Sequence, residues 1–174
     1  MNTQEKTLII LKPDAVQRGV VGEILARFEK VGLKIVACKM LQPNKDQFYF
    51  HYENIGKMVS RRGQATFERQ LEVMSDGPVI AFILEGVEAV SLVRKMVGTT
   101  EPKSALPGTI RGDYSHMSFV HADANEIGTP NLIHASGDPE EAKAEIAHWF
   151  SESEMFEYET AHEKFTQMRK SHKK

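Results

Sequence analysis

Two stretches of the chain, TLIIL at 7–11 and VIAFILE at 79–85, are apolar apart from the opening Thr7 and the closing Glu85, with turn-forming residues beside them. Runs of this length, rich in β-branched side chains, read as buried strands. Lys12, Pro13 and Asp14 end the first, and the Asp76-Gly77-Pro78 turn leads into the second. A further strand is expected at 33–41, and Leu132 and Ile133 form a short one that ends at His134. Elsewhere the pattern is helical. Ile24, Leu25, Phe28 and Val31 recur at helical spacing, with Gly32 as the stop. Residues 45–75 predict two or more helices, and 87–97 predict one closed by Gly98. Asp138 as N-cap, Pro139 at the first helical position and Glu141 three residues after the cap make a capping-box pattern for a helix running to Phe150. This order of elements predicts an α+β sandwich, a mainly antiparallel sheet with helices packed on one face.

At 174 residues, 41% of them hydrophobic and 26% charged, the chain fits one globular domain over 1–174. Residues 1–6 and about 166–174, with the polar tail KSHKK, are expected to be flexible. A formal net charge of −2 argues against a general nucleic-acid or membrane surface, so an anionic ligand must be met by local charge. The single cysteine, Cys38, reads as a small buried thiol in KIVACKML, and no disulfide framework is possible. No apolar run approaches the ~20 residues of a membrane span, and a cytoplasmic protein is expected. The segment 99–130 has several Gly and Pro residues and no sustained period; a loop of that size is often functional.

The chemistry is suggested by NLIHASGDPEEAKAEI at 131–146, which sets His134 between a strand and the helix N-terminus at Asp138. Free backbone N–H groups and the positive end of a helix dipole favour phosphate there. A neutral imidazole is a competent nucleophile when an acceptor holds its other ring nitrogen. Glu145 is a candidate acceptor, at the edge of the inward stripe made by Ala142, Ile146, Trp149 and Phe150. Taken singly, a packed histidine and a solvated glutamate are the ordinary readings. Lys12, Arg94 and Arg111 have no obvious structural duty, and would bind a polyphosphate if the fold gathers them around His134. Neither a Walker loop nor a kinase glycine loop is present.

In these segments the chain resembles the nucleoside diphosphate kinase family. The resemblance rests on TLIILKPDAVQRGVVGEI at 7–24, the pair His51-Tyr52, DGPVIAFILEG at 76–86, GTTEP at 98–102, PGTIRGDY at 107–114 and NLIHAS…EEAKAEIAHWF at 131–150, in the family's order. It implies a ferredoxin-like sandwich whose four-stranded antiparallel sheet is covered by helices. It also implies transfer of the γ-phosphate of a nucleoside triphosphate, usually ATP, to a nucleoside diphosphate through a phosphohistidine. His134 matches the nucleophile, and Glu145 the carboxylate that orients it. Lys12, Arg94, Thr100, Arg111 and Asn131 match the nucleotide-binding set, while Tyr52 and Ser136 match supporting positions near the histidine. The resemblance further implies Mg²⁺ held mainly by the nucleotide phosphates, no protein metal site, and a homo-oligomer, tetramer or hexamer.

Three departures bear on these expectations. The family's usual H-G-S-D-S reads His134-Ala135-Ser136-Gly137-Asp138, displacing the aspartate by one residue. About ten residues are inserted between Asp113 and Asn131, bringing in His116, His121 and Asp123, read as solvated rather than metal-binding. The helical hairpin is also longer. Counting back from Gly77-Pro78 puts the family's base-stacking aromatic at Thr66, beside Phe67, whereas counting forward from Tyr52 reaches Ser60. Phe67 is the nearest aromatic candidate for nucleotide binding, with core packing as the alternative. Two other functions use the same residues: a non-catalytic nucleotide-binding regulatory oligomer, and a protein-histidine phosphorelay component.

Overall fold

The structure, a computed structural model, describes residues 3–166. Its strands are β1 (Gln4–Leu11), β2 (Lys34–Leu41), β3 (Val79–Val87) and β4 (Ile133–Ala135), in the sheet order β2-β3-β1-β4 with every neighbouring pair antiparallel. The helices are α1 (Pro13–Gln17), α2 (Val21–Lys30), α3 (Lys45–Tyr49), α4 (Met58–Arg62), α5 (Gln64–Ser75), α6 (Ala89–Val97), α7 (Ile110–Tyr114), α8 (Phe119–Ala124), α9 (Pro139–Trp149) and α10 (Glu163–Thr166). β1 starts earlier than the apolar run, because Gln4, Glu5 and Lys6 pair with Val87, Gly86 and Glu85. Residues 4–6, expected at a flexible end, are therefore part of the sheet. Residues 1–2 and 167–174, KSHKK included, lie outside the described residues.

The helices cover both faces of the sheet, where one face was expected. Ile9, Leu11, Phe82 and Leu84 pack with Ile24 and Phe28 of α2 and Val93 and Val97 of α6. Leu8, Ile10, Ala81 and Ile83 pack with Phe48 of α3, Met74 of α5 and Trp149 of α9. Successive side chains of a strand point to opposite faces, so the unbroken apolar runs of β1 and β3 follow from their central positions between two helix layers.

The outer strand β2 departs from expectation too. A bulge between Ile35 and Ala37 leaves Val36 and Ala37 both buried, and Cys38 is exposed rather than a core thiol. The segment 99–130 is structured, with a 3₁₀ turn at Pro102–Ser104 followed by α7 and α8. It packs on α5: Arg69 pairs with Asp123 at 3.1 Å. A Cβ on Gly128 would run into the Val73 side chain and the Arg69 carbonyl. Among the described residues no helix is long and apolar enough to cross a membrane.

Candidate active site

β4 is short for a local reason. Leu132 has φ +70, in the left-handed region that costs a bulky residue strain, and extended pairing starts only after it. Its backbone is held on both sides: Lys12 N donates to Leu132 O at 2.9 Å, and Leu132 N donates to the Asp14 carboxylate at 3.0 Å. His134 is therefore the middle residue of β4, opposite Ile10, and not its end.

His134 Nε2 lies 2.7 Å from Glu145 Oε1, with the ring 16% and the carboxylate 1% exposed. The N–H axis is bent away from the oxygen, so the approach is close without being an aligned hydrogen bond. Ser136 Oγ donates to the other carboxylate oxygen at 2.6 Å and accepts from Leu8 N at 3.2 Å, which anchors α9 to β1. Glu145 thus faces inward and is fully engaged. Burial raises its pKa, an effect opposed by His51 and the Ser136 hydroxyl. Burial, then the Lys12 ammonium, lowers the pKa of His134 and keeps the imidazole neutral. With Nε2 turned to Glu145, Nδ1 is the ring nitrogen left for the cleft.

That cleft, of about 190 Å³, gathers the cations the sequence left scattered: Lys12, Arg94, Arg111, Arg61 and Arg62 line it with His134. Lys12 is 4% exposed; burial and then Arg111 bring its ammonium down to about 7, while Asp14 opposes them. An arriving phosphate favours its charged form. Arg94, in the last turn of α6, reaches the Ala135 carbonyl at 3.4 Å. Arg111 is buried on α7, where Gly112 lets the helix lie against the Leu106 carbonyl. Its Nε, Nη1 and Nη2 donate to the carbonyls of Asn131, Gly98 and Ile133 at 3.2, 3.0 and 2.6 Å. A guanidinium has five N–H donors, so two remain for a ligand.

Thr100 and Asn131 line the same cleft, and Asn131 Nδ2 donates to Thr100 O at 2.9 Å. Asn131 Oδ1 is a buried acceptor without a partner. Tyr52 Oη accepts from Gln70 Nε2 at 3.3 Å, and burial holds the phenol pKa up, so it keeps its own proton to donate. A hollow of about 1230 Å³ elsewhere, lined by Lys6, Glu85, Lys143 and Phe150 among others, contains none of these groups.

Two expectations need correction. Phe67 is 2% exposed and packs edge-on against Tyr49, with ring centres 5.5 Å apart, so it is a core residue and not a surface for a base. The one-residue offset from Thr66 turns it about 100° around α5 and into the core. At the N-terminus of α9, side chains take two of the N–H groups expected to be free. Asp138 accepts from Glu141 N at 2.8 Å, and Glu141 accepts from Gly137 N at 3.0 Å, a capping arrangement displaced by one residue. Asp138, at the displaced position, serves as this cap.

Two residues escaped the sequence reading. Asp14 holds the Leu132 turn, although its place directly after Lys12-Pro13 drew no attention to it. His51 is 1% exposed, on a π-helical turn, Phe50–Ile55, that carries His51 and Tyr52 to His134. The signal for it was the His51-Tyr52 pair itself. His51 Nδ1, His134 Nε2 and Glu145 Oε1 lie within 4.8 Å of one another, a spacing that could suit a metal. Trp149 donates to the first at 3.2 Å, and the other two face each other at 2.7 Å. His116, His121 and Asp123 are exposed, and Asp123 is paired with Arg69.

Comparison with known proteins agrees with this geometry. The sequence profile described as "Nucleoside diphosphate kinase" matches residues 5–155. A nucleoside diphosphate kinase of Borreliella burgdorferi is 44% identical over 154 residues, 88% of this chain and 92% of its own length. One of Pyrococcus furiosus is 44% identical over 160 residues, 91% of this chain and 90% of its own. Among solved structures, a transition-state mimic of the Borrelia burgdorferi enzyme with bound vanadate and ADP superposes with a TM-score of 0.91 at 41% identity, covering 94% of this chain and 97% of that one. A halophilic enzyme from Halobacterium salinarum in complex with CDP gives 0.80 at 32% identity, covering 95% and 99%. With the profile spanning β1 to the end of α9 and beyond, and the cationic cleft built around His134, the chain belongs to the nucleoside diphosphate kinase family.

Proposed function

We propose that the chain moves the γ-phosphate of a nucleoside triphosphate, usually ATP, to a nucleoside diphosphate in two half-reactions through a phosphohistidine at His134. The observation that carries this reading is His134 with Nε2 against Glu145 and its other nitrogen left for the cationic cleft. In the first half-reaction the Nδ1 lone pair forms a bond to phosphorus as the bond from phosphorus to the bridging oxygen breaks. The electron pair leaves with the nucleoside diphosphate. Nε2 keeps its proton, and the positive charge growing on the ring faces Glu145. A terminal oxygen of the acceptor diphosphate reverses these steps. Charge in a loose phosphoryl-transfer transition state spreads over the equatorial oxygens, where Lys12, Arg94 and Arg111 act electrostatically.

Mg²⁺ prefers octahedral oxygen ligands and gives up water reluctantly. Two carboxylates line the cleft. Glu145 is taken by Ser136 and His134, and Glu141 has one oxygen on Gly137 N. This donor set fits an ion carried by the nucleotide phosphates, with Glu141 as the side chain that would reach it. When bound, the ion neutralises phosphate charge. Assembly into a tetramer or hexamer belongs to the same reading, supported by exposed apolar side chains such as Met40 at 59% on β2 and Val120 at 75% on α8. So does a cytoplasmic setting, supported by a single cysteine that allows no disulfide within the chain.

With Phe67 in the core, the base is assigned to a second cavity of about 290 Å³ that shares Met58, Arg62, Gln70, Thr100 and Asn131 with the phosphate cleft. Its aromatic wall is Phe119 of the insertion, with the Arg62 guanidinium 5.4 Å from the ring centre. Stacking on an aromatic accepts every base, and is worth ~1–3 kcal/mol by analogy with single-strand binding. Phe119→Ala is expected to raise KM about tenfold for all nucleoside diphosphates, in the same order of preference as before. Unchanged KM values in steady-state assays would remove Phe119 from this role.

The experiment that tests the function is incubation of the purified protein with Mg-ATP alone, followed by GDP. An acid-labile phosphoryl adduct forms and GDP discharges it as GTP. A nucleotide-binding oligomer without chemistry forms no adduct, and a phosphorelay component forms one that GDP leaves in place. Either result overturns the proposal.

A further inference from the structure

Glu145 offers two oxygens to three neighbours. Oε2 takes the Ser136 hydroxyl at 2.6 Å. Oε1 lies 2.7 Å from His134 Nε2 and 3.6 Å from His51 Nδ1, so the two imidazoles approach the same atom. Their rings meet edge to face, with centres 4.5 Å apart. A proton on His51 Nδ1 would make it a second donor to Oε1 and would draw charge from the carboxylate that must face the phosphohistidine ring.

The Trp149 indole N–H donates to His51 Nδ1 at 3.2 Å. A ring nitrogen that accepts a hydrogen bond carries no proton, so this bond selects the tautomer of His51 with its proton on Nε2. Glu145 and Trp149 are four residues apart on α9 and lie on one face of it, which lets a single helix hold both the carboxylate and the group that guards it. His51 is 1% and Trp149 2% exposed, so the bond between them is buried. Burial also lowers the pKa of His51, which keeps the ring neutral and the choice one between tautomers.

We propose that Trp149 is a positioning residue for phosphoryl transfer that acts through His51: by fixing the His51 proton on Nε2, it reserves Glu145 Oε1 for His134. This rests on the phosphohistidine reading above and adds to it a tautomer that can be read without turnover.

The test combines nitrogen NMR of histidine-labelled protein with single-turnover kinetics at saturating Mg-ATP. In the unmodified resting protein, His51 Nδ1 has the shift of an unprotonated ring nitrogen, its signals being identified by their loss in His51→Phe. In Trp149→Phe the proton moves to Nδ1, and phosphorylation of His134 slows about tenfold, as for other groups that orient a functional imidazole from behind. KM for ATP stays where it was. In the His51→Phe background, the same Trp149→Phe change slows phosphorylation less than about twofold, because the competing nitrogen is gone. Replacing Trp149 by benzothienylalanine, which keeps the bicyclic shape and lacks the N–H, gives the Trp149→Phe result in a protein with unaltered packing. A proton already on Nδ1 in the unmodified protein, or an equal penalty in both backgrounds, overturns the proposal. Failure of the kinase reading looks different: the unmodified protein then takes up no phosphate, whatever its His51 tautomer.

Discussion

His134→Ala removes the phosphoryl adduct and lowers turnover by on the order of 10⁴-fold or more, the scale seen when a covalent nucleophile is deleted. The loss falls on chemistry rather than folding. His134 sits in a three-residue strand whose backbone pairing does not depend on its side chain, and its ring is 16% exposed to the cleft. Deletion leaves Glu145 with Ser136 as its remaining close donor, and the melting temperature moves by a few degrees at most. Nucleotide affinity persists, since Lys12, Arg94, Arg111 and Asn131 remain in the cleft. Acid-labile labelling, calorimetry and nucleotide titration on the same preparation check these outcomes. A folded variant with a rate near normal sinks the covalent mechanism.

Arg111→Ala is expected to fail in a different way, losing stability and activity together. The guanidinium is 5% exposed and holds the carbonyls of Gly98, Asn131 and Ile133, tying the end of α6 and both sides of the Leu132 turn to α7. Each stranded buried acceptor costs ~1–3 kcal/mol unless water reaches it. Three of them, partly relieved by water, lower the melting temperature by about 10 °C in a domain of this size. The Leu132 turn loosens with them, so β4 and the imidazole lose their position while the phosphate loses a bidentate partner. The ratio kcat/KM falls by roughly 10²–10³-fold, consistent with loss of one fixed donor at a charged transition state. Arg111→Lys restores charge but cannot span three carbonyls with one ammonium, and recovers little of either. Thermal melts, with kinetics measured well below the transition, separate the two effects. Unchanged stability would show that the three carbonyl bonds carry no weight.

Much of this site was legible in the chain because its parts lie at element boundaries that local rules mark. Lys12 follows the last residue of β1, and the α9 cap is written in Asp138, Pro139 and Glu141. The period of α9 puts Glu145 only at the edge of the inward stripe, where a solvated carboxylate is the ordinary reading, and the packing of the core turns it inward. The same rules misplaced Cys38, because a β-bulge adds a residue that no alternation pattern announces, and Phe67, because one residue on a helix decides between core and cleft. They also missed His51. A histidine after Phe50 in a polar hairpin has no local reason to be buried; its place is made by a π-helical turn and by Trp149, 98 residues away.

The amino-acid sequence by itself determined the strands, the larger helices and the kind of chemistry, since apolar period, turn residues and capping act over a few residues and are decided where they occur. Tertiary structure alone decided that helices cover both faces of the sheet, that five cations meet around one imidazole, and that two histidines approach one oxygen of Glu145. These depend on pairings between segments tens of residues apart. Each is set by the packing of the whole core, so no single stretch of chain carries the information for it.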